Sequence, residues 1–306
     1  FKHAEMPDYG FSPDAIFPII NGEKGNVSAT FNFQAGAEAA GANHLVSFEA
    51  GLRENMVPQD ATAVVESANL AELVVDFESF LLGHQLGGQV QLQGNQATFS
   101  LIGKAAHGST PSKGVNAATF LAKYLHRFEF DRAGAESFLH LLADHLHQDF
   151  EGVNLGVAHR DPVMQELTMN VGLVNYRDDK GGSIVANFRY PKGTDPEKMA
   201  AQTAQRLAGH DLSVEWGEFK EPHYVSVDDP MVKELLAVYE EQTGLEGHEM
   251  TIGGGTYGRL MPRGVAYGAL FPDSIDTMHQ ANEFIAIDDL LKATAIYAEA
   301  IYRITR

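Results

Sequence analysis

The chain has 306 residues, enough for two domains or one large one, and 44% hydrophobic with 21% charged residues is ordinary globular material. A formal net charge of −19 argues against nucleic acid as a partner, because phosphate binding needs clustered Lys and Arg, and no run of about 18 apolar residues marks a transmembrane helix. Cysteine is absent, which excludes disulfides and thiolate zinc sites, so any metal must be held by His, Asp or Glu.

The opening FKHAEMPDYG lacks a basic start followed by an apolar stretch, so it is not a signal peptide and reads as a cut end. A cytoplasmic location is expected. Phe17–Ile20 reads as a short buried strand that ends in an Asn21-Gly22 turn. Asn26–Gln34 alternates Val27, Ala29, Phe31 and Phe33 with polar neighbours, the pattern of a half-buried strand. Leu70–Leu82 has helical spacing, and Gln89–Leu92 with Thr98–Ile102 reads as a hairpin about Gly94-Asn95. Helices are predicted over Asn116–Phe128 and Ala135–Phe150, then paired strands Leu167–Tyr176 and Gly182–Tyr190 about the turn RDDKGG. Asp195–Leu207 is a helix with Asp195 as N-cap and Pro196 in its first turn, and Ser213–Glu218 is a strand. A helix at Pro230–Gln242, a Gly-rich loop, a strand near Val265–Leu270 and a long helix Ile287–Ile304 capped by Asp288 or Asp289 complete the chain.

The order strand, helix, strand, strand, helix, strand in the middle favours antiparallel sheets with helices on one face. Two such units fit between about Glu23 and Lys220 and suggest an internal duplication. The last stretch alternates strand and helix, as an α/β layer does.

Five constellations could carry chemistry. His279, in DTMHQANE between a strand and the last helix, can ligate a metal through a neutral ring nitrogen or simply sit in a capping loop. Gly253-Gly254-Gly255-Thr256 lets the backbone approach an anion such as a carboxylate, or is a plain turn; without a following Lys it is not a phosphate loop. His107, in GKAAHGSTP, is poised to face a cleft; a Ser109 nucleophile is the competing reading, with no third member and no GxSxG elbow. Asp14 caps a turn or offers a carboxylate to a metal. Arg189, near the end of a strand, pairs with a substrate carboxylate or makes a surface salt bridge.

Taken together and in this order, GFSPDAIFPIINGEKG, NMVPQDA, GKAAHGSTPSKGVNAA, NFRYP, GGGTYGR and DTMHQANE resemble the PepV-type dipeptidases of the M20 metallopeptidase family over essentially the whole chain. The resemblance implies an α/β and α+β architecture. An α/β zinc-peptidase catalytic domain, present in part as residues 1–22 and 221–306, would carry an inserted lid of antiparallel sheets and helices at 23–220. It implies two zinc ions, with manganese as the alternative, and Asp14 and His279 as ligands. It implies His107 as the residue that stabilises the oxyanion, and Asn55 and Arg189 as binders of the substrate carboxylate, with Gly254, Gly255 and Thr256 lining the same pocket. The family's His-x-Asp motif, bridging Asp and Glu-Glu pair lie upstream of the Asp14 segment and have no counterpart here, so roughly a third of a family member is expected to be missing and the isolated chain to be inactive. The implied activity is metal-dependent hydrolysis of dipeptides or short peptides with free ends. A non-catalytic fragment with a binding or assembly role, and a deacylase or aminoacylase of the same family, are the alternatives. The partner is then a small peptide, with no nucleic acid and no membrane, and the enlarged lid suggests a monomer.

Overall fold

A computed structural model describes Glu5, residues 7–278 and residues 282–306, and the chain falls into two units. The first comprises Phe1–Gly25, Asp161–Gln165 and Glu221–Arg306, and the second Asn26–Arg160 and Glu166–Lys220.

In chain order the elements begin with β1 (Tyr9–Ser12), β2 (Ala15–Ile16) and β3 (Ile20–Glu23). The second unit follows with β4 (Gly25–Phe33), β5 (Asn43–Ala50), β6 (Asp60–Ser67), α1 (Leu70–His84), β7 (Gly87–Gln93), β8 (Gln96–Ile102), α2 (Ala117–Leu125) and α3 (Ala133–His140). After the short pair β9 (Arg160–Asp161) and β10 (Gln165–Glu166) come β11 (Thr168–Arg177), β12 (Gly181–Tyr190), α4 (Pro196–Arg206) and β13 (Ser213–Trp216). The first unit resumes with β14 (His223–Tyr224), α5 (Pro230–Thr243), β15 (Met250–Ile252), β16 (Arg263–Ala266), β17 (Ala269–Leu270) and α6 (Ile287–Ile304).

The second unit is built on one eight-stranded sheet in the order β13-β4-β12-β11-β5-β6-β8-β7. Its two halves share a pattern. In each, a hairpin (β11–β12 or β7–β8) pairs through its second strand with an earlier strand (β4 or β6), and an outer strand (β13 or β5) closes the other side. The antiparallel pair β11·β5 joins the halves. Strands β4, β6 and β8 alternate buried with half-buried positions, so one face is apolar. Phe31, Phe48, Phe99, Phe77 of α1, Leu121 of α2 and Phe138 of α3 meet there in one continuous core.

The first unit has a five-stranded sheet, β1-β16-β3-β14 with β15 on β3, and a smaller core. Phe17 anchors it, with its ring 4.7 Å from Phe271, 5.0 Å from Tyr267 and 5.5 Å from Tyr239. The expected Asn21-Gly22 turn is instead the middle of the fully buried strand β3. Asn21 tolerates this because its amide is satisfied across strands: Nδ2 donates to the Val225 carbonyl (2.8 Å) and to Glu249 (3.1 Å), and Oδ1 accepts from the Met250 N–H (3.2 Å). Three further readings change. Asp288 and Asp289 lie in the first turn of α6 rather than at its cap, which is Ala286. The helix expected at 135–150 is α3 continued by a π-helical turn, Leu141–Leu146. Strands β5 and β6 were not anticipated. Among the described residues no helix is long and apolar enough to cross a membrane.

Candidate functional site

In the first unit, β1 and β16 run parallel, and the chain leaves the C-terminal end of β1 directly into Pro13 and Asp14. Ligands bind beyond the carboxyl ends of parallel strands in open α/β sheets. Asp14 is exposed and lines a cavity of about 200 Å³ together with Ala269, Ser274, Met278, Glu283 and Asp289. Met278 and Glu283 flank the segment that carries His279, which itself lies outside the described residues. Asp289 is held by the Ser274 hydroxyl at 2.6 Å, leaving Asp14 and Glu283 as the exposed carboxylates of the wall. Oxygen donors of this kind suit a divalent zinc or manganese ion. Among the described residues no group of three His, Asp or Glu side chains converges at Asp14.

Gly254, Gly255 and Thr256 follow β15 in the same unit and do not line that cavity. Glu23 organises this loop and went unnoticed in the sequence. It ends β3, is 1% exposed, and its Oε1 accepts from the Thr256 N–H (3.0 Å) and hydroxyl (2.5 Å). Arg259 stands 3.6 Å from the other oxygen. The Thr256 hydroxyl also accepts from the Gly258 N–H at 3.1 Å and so starts a short 3-10 turn. Thr256 is thus committed to shaping the loop. Gly254 has open space where a Cβ would stand, with only Ile252 near at 3.9 Å.

In the second unit the other three expected residues are tied to one another. Residues 54–56 form a turn bridged to His107: the Gly108 N–H donates to the Asn55 carbonyl (2.8 Å), and Met56 and His107 form a β-bridge. A Cβ on Gly108 would stand 2.9 Å from the Asn55 carbonyl, so only glycine permits this approach. Asn170, 1% exposed, clamps the turn from below, with Nδ2 donating to the carbonyls of Glu54 and Met56, each at 2.9 Å. From the other side, Arg189 Nε donates to Asn187 Oδ1 (2.9 Å). Asn187 Nδ2 donates to Ser28 Oγ (2.9 Å), and Ser28 donates to Glu54 (2.7 Å). A polar relay therefore runs from Arg189 through buried Asn187 to the turn that carries Asn55 and abuts His107. Of the members given no role by the sequence, Asn187 opens the NFRYP motif, Asn170 is a polar side chain inside a largely buried strand, and Ser28 is one of the polar positions that alternate along β4.

His107 is exposed, and its ring is fixed locally. The Ser109 N–H donates to Nδ1 at 3.2 Å, and Ser109 Oγ lies 2.7 Å from the same nitrogen. A backbone donor at Nδ1 requires that nitrogen to be the acceptor, so in the neutral ring Nε2 carries the proton. In that tautomer the ring's donor is Nε2. The same Ser109 contact would serve a serine–base pair by geometry.

Over residues 4–303 the sequence matches peptidase family M20/M25/M40. The Beta-Ala-Xaa dipeptidase of Lactobacillus delbrueckii subsp. lactis is 45% identical over 306 residues, covering 100% of this chain and 64% of that protein. YtjP of Bacillus subtilis (strain 168) is 41% identical over 313 residues, covering 100% and 65%. The chain therefore spans less than two thirds of the length of these relatives. Among solved structures, the aminoacylhistidine dipeptidase of Vibrio alginolyticus overlays 97% of this chain and 63% of its own, at 14% identity and a TM-score of 0.46.

Proposed function

The chain belongs to peptidase family M20/M25/M40, and from that premise we propose that it carries the substrate-binding and oxyanion-stabilising part of a metal-dependent dipeptidase. The observation that carries the reading is the relay that holds Arg189, Asn55 and His107 as one assembly. A guanidinium and an amide suit a terminal carboxylate, and an Nε2–H donor suits the oxygen of a peptide carbonyl as it gains charge. The 45% identity with a Beta-Ala-Xaa dipeptidase supports peptides with free ends as the substrate class.

Zinc or manganese held by Asp14 and His279, with further ligands, would supply Lewis-acid polarisation of the scissile carbonyl and an activated water. The chain's own residues do the rest. Arg189 and Asn55 orient the substrate by its carboxylate. His107 donates from Nε2 to the developing oxyanion while Ser109 holds the tautomer. Glu23 keeps the 253–256 loop open at Gly254, where backbone can approach a ligand. The protein acts as a monomer in the cytoplasm.

Asp14 and His279 are two of about five ligands that such a centre needs. Purified chain 1–306 is therefore expected to hydrolyse no dipeptide, and a measurable rate would overturn that. A chimera that adds the unmatched segment of the Lactobacillus relative is expected to cleave dipeptides with free termini and to ignore N-acetyl amino acids. Cleavage of the acetylated compounds alone would make the protein a deacylase instead.

A further inference from the structure

Three histidines of the second unit converge away from the residues discussed so far. His140 ends α3, His145 lies in the π-helical turn Leu141–Leu146, and His210 follows α4. Their ligand atoms all lie within 4.8 Å of one another. The ring centroids are 5.4 Å apart for His140 and His145, 5.1 Å for His140 and His210, and 5.2 Å for His145 and His210.

The local fold accounts for this meeting. Five residues along an α-helix place side chains about 140° apart, so His140 and His145 would diverge. The π-helical turn, pinned by buried Leu141, Leu142 and Leu146, widens the helix and returns His145 to the side of His140. Such turns recur at functional sites.

Asp144 is placed to orient one of the three rings. Asp144 Oδ2 lies 3.0 Å from His140 Nδ1, which leaves Nε2 as the nitrogen available to an ion. A ligating histidine characteristically gives its other ring N–H to a carboxylate, which fixes its tautomer and orientation. Asp144 is itself held by Lys123 at 3.0 Å and His126 Nε2 at 3.1 Å. Among the described residues neither His145 nor His210 makes a side-chain hydrogen bond, although each ring is half-buried against the others.

We infer that His140, His145 and His210 form a binding site for a divalent transition-metal ion, with Asp144 orienting His140. An all-imidazole set selects ions of the zinc, copper and nickel type over calcium or magnesium. Tetrahedral binding at 2.0–2.1 Å would bring the nitrogens to about 3.4 Å from one another, a contraction of roughly 1.4 Å from the widest spacing, within reach of side-chain rotation. Three protein ligands leave one position open to solvent. The ion would cross-link the end of α3 to the segment after α4, two helices whose Phe138, Leu139 and Met199 share one core.

The test uses the whole chain, stripped with chelator, desalted and given zinc, with bound metal read after gel filtration in zinc-free buffer. The wild type is expected to retain one zinc equivalent that the His145→Gln/His210→Gln double variant loses and Asp14→Asn keeps. Cobalt in place of zinc should give tetrahedral ligand-field bands in the wild type and none in the double variant. Asp144→Asn should weaken the site by about 10–100-fold. The zinc-free circular dichroism of the double variant reports its folding; if it does not fold, His210→Gln alone replaces it, with the cobalt bands as the readout. Zinc retained equally by wild type and variant, or lost from Asp14→Asn rather than from the histidine variant, overturns the proposal. Neither result depends on peptidase activity, so the functional reading above stands or falls separately.

Discussion

The two units differ in how they hold their candidate site residues. The second closes its core around a long sheet and holds Arg189, Asn55 and His107 through buried amides whose partners lie within the unit. The first has a small core and shows much apolar surface at its end: Ile287 is 76% exposed, Leu291 63% and Ile275 71%. It carries Asp14, with no converging triad of metal-binding side chains among the described residues. The contrast teaches that the second unit fixes its candidate residues through bonds made inside that unit, whereas Asp14 in the first stands without a converging set of partners among the described residues.

The largest expected effect probes the second unit. In the active chimera, His107→Ala should lower kcat by about 10²–10³-fold, or about 3–4 kcal/mol, with little change in KM, as for loss of one oxyanion donor. His107→Gln, which keeps a donor, should recover part of it. Arg189→Lys should raise KM more than it lowers kcat, because a point charge replaces a planar fork. If both variants changed only KM, the division of labour along the relay would be wrong.

In the first unit Glu23→Ala should cost about 3 kcal/mol of stability, read as a lower denaturation midpoint. It strands the Thr256 N–H and hydroxyl and leaves Arg259 without its buried carboxylate. If the midpoint did not move, the 253–256 loop would owe its shape to its glycines alone.

Between about pH 6.5 and 4 the second unit should be acid-sensitive. Burial first, then the charges of Lys123 and His84, lowers His147 from 6.5 to about 4. The unfolded chain then takes up a proton near pH 6.5 that the folded chain refuses until about pH 4. In that window the unfolded state binds more protons, so stability falls as pH falls, by about 2–3 kcal/mol in all. His147→Leu should flatten this slope in melts between pH 7 and 4, and an unchanged slope would assign the loss elsewhere.

Much of this was legible in the sequence, and the gaps have physical reasons. The alternation Val27, Ala29, Phe31, Phe33 marked β4, and the Asp195-Pro196 start marked α4, because each is a local rule that packing leaves intact. Asn21-Gly22 misled because turn preference is local, whereas the partners that make Asn21 a strand residue, Val225 and Glu249, are some 200 residues away. β5 was hidden by a bulge between Leu45 and Ser47 that breaks its period of two. The expected site residues His107, Asn55 and Arg189 came from motifs; Asn187, Asn170 and Glu23, which hold the relay and the 253–256 loop in place, are visible only once the strands are paired.

The smallest effect compares one device in both units. Helices α4 and α5 each start with Asp-Pro, and each Asp caps its helix: Asp195 Oδ1 accepts from the N–H groups of Glu197 (3.0 Å) and Lys198 (3.1 Å), and Asp229 Oδ1 from Met231 N–H (2.8 Å). Asp195 is exposed and its side chain makes no further hydrogen bond among the described residues, so Asp195→Ala should cost about 1 kcal/mol, the usual value of a cap. Asp229 also takes a two-pronged contact from Arg263, at 2.7 and 2.8 Å, which ties α5 to β16 and holds its carboxyl below the usual range. Asp229→Ala should therefore cost about 2 kcal/mol, the excess being one charge-assisted pair at a partly exposed position. Because that folded pKa is depressed, the excess should be present at neutral pH and fade as pH falls below the ordinary carboxylate range. Equal losses in the two variants at neutral pH would mean that Arg263 adds nothing, and that the first unit's sheet and helix are joined by its apolar core alone.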